Sequence, residues 1–273
     1  MTAPPFLDTL LVDLTAEGDR LRAVVAGLDG SEHGGWASDT PAPGWTVATQ
    51  VAHLLWTDEQ ATAAARAHLD KAAWDAIVLL AMADPDGFVD AAAIELAQLP
   101  PADLLARWDA ARVELGVALR ELPEGQKMPW FGPPMSAASM VTARFMETWA
   151  HSLDVYEALG LEPDVTDRIK HVAHIGVRTR GFSFATHGLE LPAADVSVEL
   201  TAPSGETWTW GPQEAPESVS GSAYDFCLLV TQRVHRDDTD LVADGEGAEQ
   251  WLRIAQCFAG PAGQGRERVA QDG

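Results

Sequence analysis

SAASMVTARFMETWAHSLDVYEAL, residues 136–159, is the stretch on which the fold turns. Ser136 is a residue type that caps a helix N-terminus, and Gly160 followed by Pro163 stops one. The residues between them are strongly apolar and predict one long helix. Within it Glu147 and His151 stand four apart, one above the other on a single face, with Asp154 three residues further along. A carboxylate and an imidazole stacked this way can hold a divalent ion. They can equally form a simple hydrogen-bonded pair on a helix surface.

Upstream of this helix the pattern is also helical. Phe6 to Leu28 repeats Leu7, Leu10, Leu11, Leu14, Leu21, Val24, Val25 and Leu28 at helical spacing. Residues 34–44 are rich in Gly, Pro, Ser and Asp and read as a loop. Thr46 caps a second helix reaching about Leu69. Shorter pieces follow from Ala72 to Met82 and from Asp86 to Leu99. Pro100 and Pro101 open another helix to about Leu122, proline being well placed in a first turn. Residues 123–134 form a connection, and beyond the 136–159 helix another runs from Asp164 to about Thr186. Several such helices joined by short or medium loops predict an antiparallel bundle.

The pattern changes after His187. Residues 195–200 and 207–210 alternate polar and apolar around the turn signal Ala202-Pro-Ser-Gly205, which predicts a β-hairpin. Helices from Ser222 to about Val234 and from Glu249 to Phe258 follow. The expected class is therefore α+β: an N-terminal antiparallel four-helix bundle over 1–187, a smaller α+β domain over 188–262, and a disordered tail over 263–273. No internal repeat is present.

Composition excludes several partners. The 273 residues carry 18 basic and 41 acidic side chains, a formal net charge of −23. Such a surface repels phosphate backbones and anionic lipid, so neither nucleic acid nor a membrane is expected as a partner. No apolar run is long enough to span a bilayer, and residues 1–8 lack the basic region and cleavage site of a secretory signal. The expected location is the cytoplasm, as monomer or homodimer. Cys227 and Cys257 are far apart in sequence and read as small buried hydrophobes rather than a disulfide framework.

His53 turns the Glu147–His151 pair into a constellation. It lies in GWTVATQVAHLL, residues 44–55, on an apolar helix early in the bundle. A lone histidine on such a face is usually a satisfied core residue. Two bundle helices that each point a ligand inward, however, make a three-residue site. Two imidazoles and a carboxylate leave a coordination position open, as in catalytic zinc sites, and the same set suits iron, nickel or manganese. His171 and His174 stand three apart with no carboxylate at helical spacing between them and offer no comparable set. No HExxH, GxGxxG, GxxxxGK[ST] or GxSxG is present.

With residues 44–54 and Glu147-x-x-x-His151-x-x-Asp154 in view, the chain resembles the DinB-like superfamily. It is most similar there to the mycothiol-dependent maleylpyruvate isomerase group of actinobacteria. The resemblance implies a DinB-like four-helix bundle holding one divalent ion, usually zinc, on His53, Glu147 and His151, with a smaller α+β domain behind it. Asp154 then reads as the residue that orients a ligating imidazole. The implied chemistry is that of a thiol cofactor, mycothiol, which is activated by the metal and adds to a small electrophilic substrate for isomerisation or S-transfer. The family's C-terminal domain supplies an arginine for an anionic substrate in a Gly-Arg context. The match here is Arg233, with Gln232 in place of the glycine. A metal-dependent hydrolase with water in the open position, or a non-catalytic metal- or ligand-binding protein, are the alternatives on the same scaffold. Trp45, Trp56 and Trp149 are candidates to wall the pocket.

Overall fold

A computed structural model of the chain describes residues 5–31, 33–85 and 87–269. By their internal contacts these divide into two units, Met1–Pro163 and Asp164–Gly273.

The first unit is built on four long helices: α1 (Pro5–Val25), α2 (Val47–Arg66), α5 (Pro101–Glu121) and α6 (Ala137–Ala158). Two shorter helices, α3 (Lys71–Ala83) and α4 (Phe88–Leu96), lie between α2 and α5 in sequence and pack against α2. In the bundle α2 packs on α5 and α6, and α1 packs on α6 and α5. The local signals act as expected. Thr46 and Ser136 accept from the backbone N–H groups of Thr49 and Ser139 at 3.4 and 3.1 Å, and Pro101 opens α5. The expected start of α4 at Asp86 lies outside the described residues, as do residues 1–4 of the N-terminal stretch and residues 270–273 of the expected tail.

The bundle core is split in two. One apolar cluster gathers Leu7, Leu10 and Leu11 of α1, Ala61, Ala64 and Ala65 of α2, Leu115 and Leu119 of α5, and Met140 and Val141 of α6. The other gathers Leu21 and Val25 of α1, Val47, Val51, Ala52, Leu54 and Leu55 of α2, Leu104 and Trp108 of α5, and Val155 of α6. Between Leu55 and Ala61 on α2, and between Val141 and Val155 on α6, lie buried polar residues: Thr57, Asp58, Arg144, Thr148 and Ser152. Each fully buried leucine contributes about 1.5–3 kcal/mol. The two clusters hold the bundle together, and the polar belt needs internal partners to exist between them.

The second unit contains α7 (Lys170–Arg178), α8 (Arg180–Thr186), α9 (Ala223–Val230), α10 (Glu246–Ile254) and strands β1 (Val196–Thr201), β2 (Thr207–Trp210), β3 (Glu217–Ser222) and β4 (Val242–Asp244). The hairpin expected over residues 195–210 is present, with Leu200 opposite Trp208 and Gly205 at φ +88° in its turn. The sheet order is β2-β1-β3-β4, with β1 and β3 parallel and the other two pairings antiparallel. Val198, Leu200, Trp208 and Val219 are buried on it.

Two expectations change here. The chain divides after Pro163, earlier than the expected 187/188 boundary, because α7 packs on α9 and α8 on α10. The single helix expected over 164–186 is interrupted at Thr179, whose hydroxyl bonds back to the carbonyls of Ile175 and Gly176 at 2.8 and 3.1 Å. Such back-bonding bends helices. Residues 263–269 have no helix or strand, although Gly263 N–H donates to Gln256 and Val269 N–H donates to Asp238. Cys227 and Cys257 are both buried, and neither is in a disulfide.

Candidate metal centre

His53 of α2 and Glu147 and His151 of α6 meet in the polar belt. Nε2 of His53 lies 3.3 Å and Nε2 of His151 lies 3.2 Å from the same Glu147 oxygen, Oε2. One potential ligand atom from each residue lies within 4.8 Å of the other two, and this is the one such cluster of three among the described residues. Two ligands bound about 2.0–2.1 Å from a tetrahedral ion stand about 3.3 Å apart, so these separations match the donor set of a zinc-type site. The side chains of His53, His151 and Glu147 are 9, 14 and 22 % exposed, so the cluster is sheltered but not sealed from solvent.

Electrostatics points the same way. Burial pushes the Glu147 carboxyl up, but the hydrogen bonds from His151 and then His53 outweigh it and hold it well below the usual carboxylate range. The residue is therefore held as a carboxylate between the two rings, a donor set that would suit a divalent cation. Nδ1 of His53 is buried with no hydrogen-bond partner among the described residues. Two imidazoles and one carboxylate suit zinc and also iron, nickel and manganese.

Trp45, just ahead of α2, walls the cluster. Its ring lies 5.8 Å from that of His151, nearly parallel, and 5.3 Å from that of His53. The two imidazole rings are 4.4 Å apart. Trp56 packs with Phe88 and Phe131, and Trp149 is buried in α6.

Gln50, three residues before His53, has a place in the site that motif reading missed. Its Oε1 faces Nδ1 of His151 at hydrogen-bonding distance, and its side chain is fully buried. Gln50 therefore faces the His151 nitrogen that points away from Glu147. Asp154 is itself buried in α6. The available signal was helical: Gln50 and His53, three apart, share a face of α2.

Arg233 follows α9 in the second unit, where its Nη1 donates to the Thr231 carbonyl at 2.6 Å. Gln232 before it has φ +58° and is the one non-glycine residue with positive φ among the described residues. Gln232 thus takes the left-handed conformation that glycine favours.

The four-helix unit thus brings two imidazoles and a carboxylate together between α2 and α6, the donor set of a possible metal site. The chain belongs to the family described as "Mycothiol maleylpyruvate isomerase N-terminal domain", which matches residues 14–156. Residues 192–244 match a second family, "Wyosine base formation". Uncharacterized proteins of two Mycobacterium tuberculosis strains, CDC 1551 / Oshkosh and ATCC 25618 / H37Rv, are each 52% identical over 256 residues, covering 94% of this chain and 97% of theirs. Among solved structures, the chain is similar to a histidine-to-alanine mutant of the mycothiol-dependent maleylpyruvate isomerase (TM-score 0.58, 17% identity) and to the same isomerase unmutated (TM-score 0.55, 16% identity). Each match covers 89% of this chain and 95% of the other. These matches share the fold.

Proposed function

We propose that this chain is a divalent-metal-dependent enzyme that uses mycothiol, or a similar low-molecular-weight thiol, on a small electrophilic substrate, by isomerisation or S-transfer. The observation that carries it is the convergence of His53 Nε2, His151 Nε2 and Glu147 Oε2 in a largely buried position. Membership of a family described by mycothiol and maleylpyruvate isomerase supports the thiol and the small substrate.

When bound, the ion, taken here as zinc, supplies the positive charge that lowers a thiol pKa towards neutrality. The chain's own residues do the rest. His53, Glu147 and His151 would hold the ion, and an incoming thiol sulfur would complete its coordination. Trp45 covers the rings and limits water on that side. Cys227 and Cys257 are buried, which fits a reaction whose thiol comes from solution. Arg233 is the candidate for recognising an anionic substrate group. No helix among the described residues is long and apolar enough to cross a membrane.

The test is metal analysis of the purified chain and its His53→Ala variant, with a mycothiol titration of the cobalt-substituted protein. The expected results are one divalent ion per chain, its loss in the variant, and a change in the cobalt absorption on adding thiol. Full metal retention by His53→Ala overturns the site. An unchanged cobalt spectrum at saturating thiol overturns the thiol chemistry and favours water in the open position. With turnover in hand, Arg233→Ala raises KM for an anionic substrate at unchanged metal content. An unchanged KM removes Arg233 from recognition.

A further inference from the structure

The loop ahead of α2 and the metal centre are joined by a short chain of hydrogen bonds. Thr40 Oγ1 donates to the Trp45 carbonyl at 2.9 Å. Gln50 Nε2 donates to Thr40 Oγ1 at 2.8 Å. Gln50 Oε1 faces Nδ1 of His151. The loop is pinned besides by Thr40 N–H to the Trp45 carbonyl at 2.8 Å and by a bridge between Asp39 and Thr46.

We propose that Gln50 is a positioning residue, which holds His151 in the tautomer protonated at Nδ1 and couples the metal centre to the loop bearing Trp45.

The reasoning is a count of donors and acceptors. A glutamine amide has one oxygen that only accepts and one nitrogen that only donates. The Trp45 carbonyl only accepts, so the Thr40 hydroxyl proton points to it. The hydroxyl oxygen is then the acceptor for the Gln50 amide N–H. With its nitrogen committed to Thr40, Gln50 presents its oxygen to His151, and Nδ1 must bring the proton. With an ion bound, the Nε2 proton that otherwise bonds Glu147 would be displaced, and the Nε2 lone pair of the neutral ring would be the ligand. His53 Nδ1 makes no hydrogen bond among the described residues, so Gln50 supplies the orientation of one imidazole that nothing supplies for the other. Backing hydrogen bonds of this kind fix ring orientation and raise ligand basicity, and their loss costs about 10–100-fold in metal affinity. Trp45 lies against both rings and shares its carbonyl with Thr40, so displacement of the loop also loosens the amide that aims His151.

This proposal rests on the metal reading above. The test is a competition titration with Zn²⁺ or Co²⁺ against a chelator, run on the full chain and on Gln50→Ala, Gln50→Glu and Thr40→Val, each checked by far-UV circular dichroism. Expected are a loss of affinity of about 10–100-fold for Gln50→Ala, near-normal affinity for Gln50→Glu, which keeps an acceptor oxygen, and a smaller loss for Thr40→Val. The cobalt visible spectrum shifts in Gln50→Ala and is restored in Gln50→Glu. Long-range 1H–15N spectra of the zinc form place the His151 proton on Nδ1. Wild-type affinity and spectrum in Gln50→Ala overturn the proposal, as does a Gln50→Glu variant as weak as Gln50→Ala. If Gln50→Ala does not fold, Thr40→Val decides, and wild-type affinity there overturns the coupling to the loop. Metal loss in His53→Ala with metal retained in Gln50→Ala defeats this proposal alone. Metal retained in His53→Ala defeats the metal site itself.

Discussion

Replacing Asp58 by alanine should destabilise the bundle more than any surface change and weaken metal binding with it. Asp58 lies on α2 inside the polar belt. Its Oδ1 accepts from Arg144 Nε of α6 at 2.9 Å, and its Oδ2 accepts from Trp108 Nε1 of α5 at 3.1 Å. The Arg144 and Asp58 side chains are only 2 and 5 % exposed. At 2.9 Å the attraction between unit charges is about 6 kcal/mol at an effective dielectric of about 20, and desolvation offsets most of it. Removing one partner loses the attraction and keeps the desolvation, leaving a buried guanidinium with only the Leu54 carbonyl at 3.4 Å. The expected cost is about 3–5 kcal/mol. At about 2–4 °C per kcal/mol for a unit of this size, Tm falls by about 6–20 °C. The readout is urea and thermal unfolding followed at 222 nm, beside the double variant Asp58→Leu/Arg144→Met. That variant removes both charges and should regain most of the loss. Because Asp58 follows His53 on α2 and Arg144 precedes Glu147 on α6, slippage between these helices moves the ligands, and Asp58→Ala should also bind metal more weakly. A loss below about 1 kcal/mol, the worth of a surface pair, would refute the reasoning. So would a double variant as unstable as the single one.

Two further outcomes concern the second unit. A Cβ on Gly176 of α7 would meet Val230 Cγ2 at 2.9 Å and Phe226 Cε1 at 3.0 Å, so Gly176→Ala should cost about 1–3 kcal/mol by overpacking the contact with α9; unchanged urea unfolding would show that this contact can yield. Burial, reinforced by Cys257, pushes the Cys227 thiol well above its usual value. With the folded value above the unfolded one, its contribution is intact below about pH 8.5 and declines as pH rises towards the folded value, by about 1.4 kcal/mol per pH unit. Cys227→Ala should flatten that part of the stability profile relative to the parent, and an identical slope would show that Cys227 does not cause it.

Much of the architecture was legible in local patterns. The apolar spacing of α1, α2, α5 and α6, the caps at Thr46 and Ser136, and the alternation in β1 and β2 are short-range signals, and short-range physics decides them. The ligand set was legible for the same reason in part: Glu147 and His151 share a helix face by spacing alone, and His53 joined them through resemblance and the logic of a bundle. The strands β3 and β4 were not legible. Each is short, and β3 is formed by parallel pairing with β1 across an intervening strand, a long-range partnership that leaves little periodic trace. The division after Pro163 was likewise set by the packing of α7 on α9 and α8 on α10, not by any change in composition.

By itself, then, the sequence determined which segments are helical, which three residues are candidate ligands, and that the surface is acidic. Tertiary structure alone decided that Gln50 faces His151, that Asp58, Trp108 and Arg144 form one buried set across three helices, and that Trp45 lies over the rings. The physical reason is common to all three. A helix repeat specifies which side chains share a face, but a buried polar atom takes its partner from another element, and that choice exists only once the helices are packed.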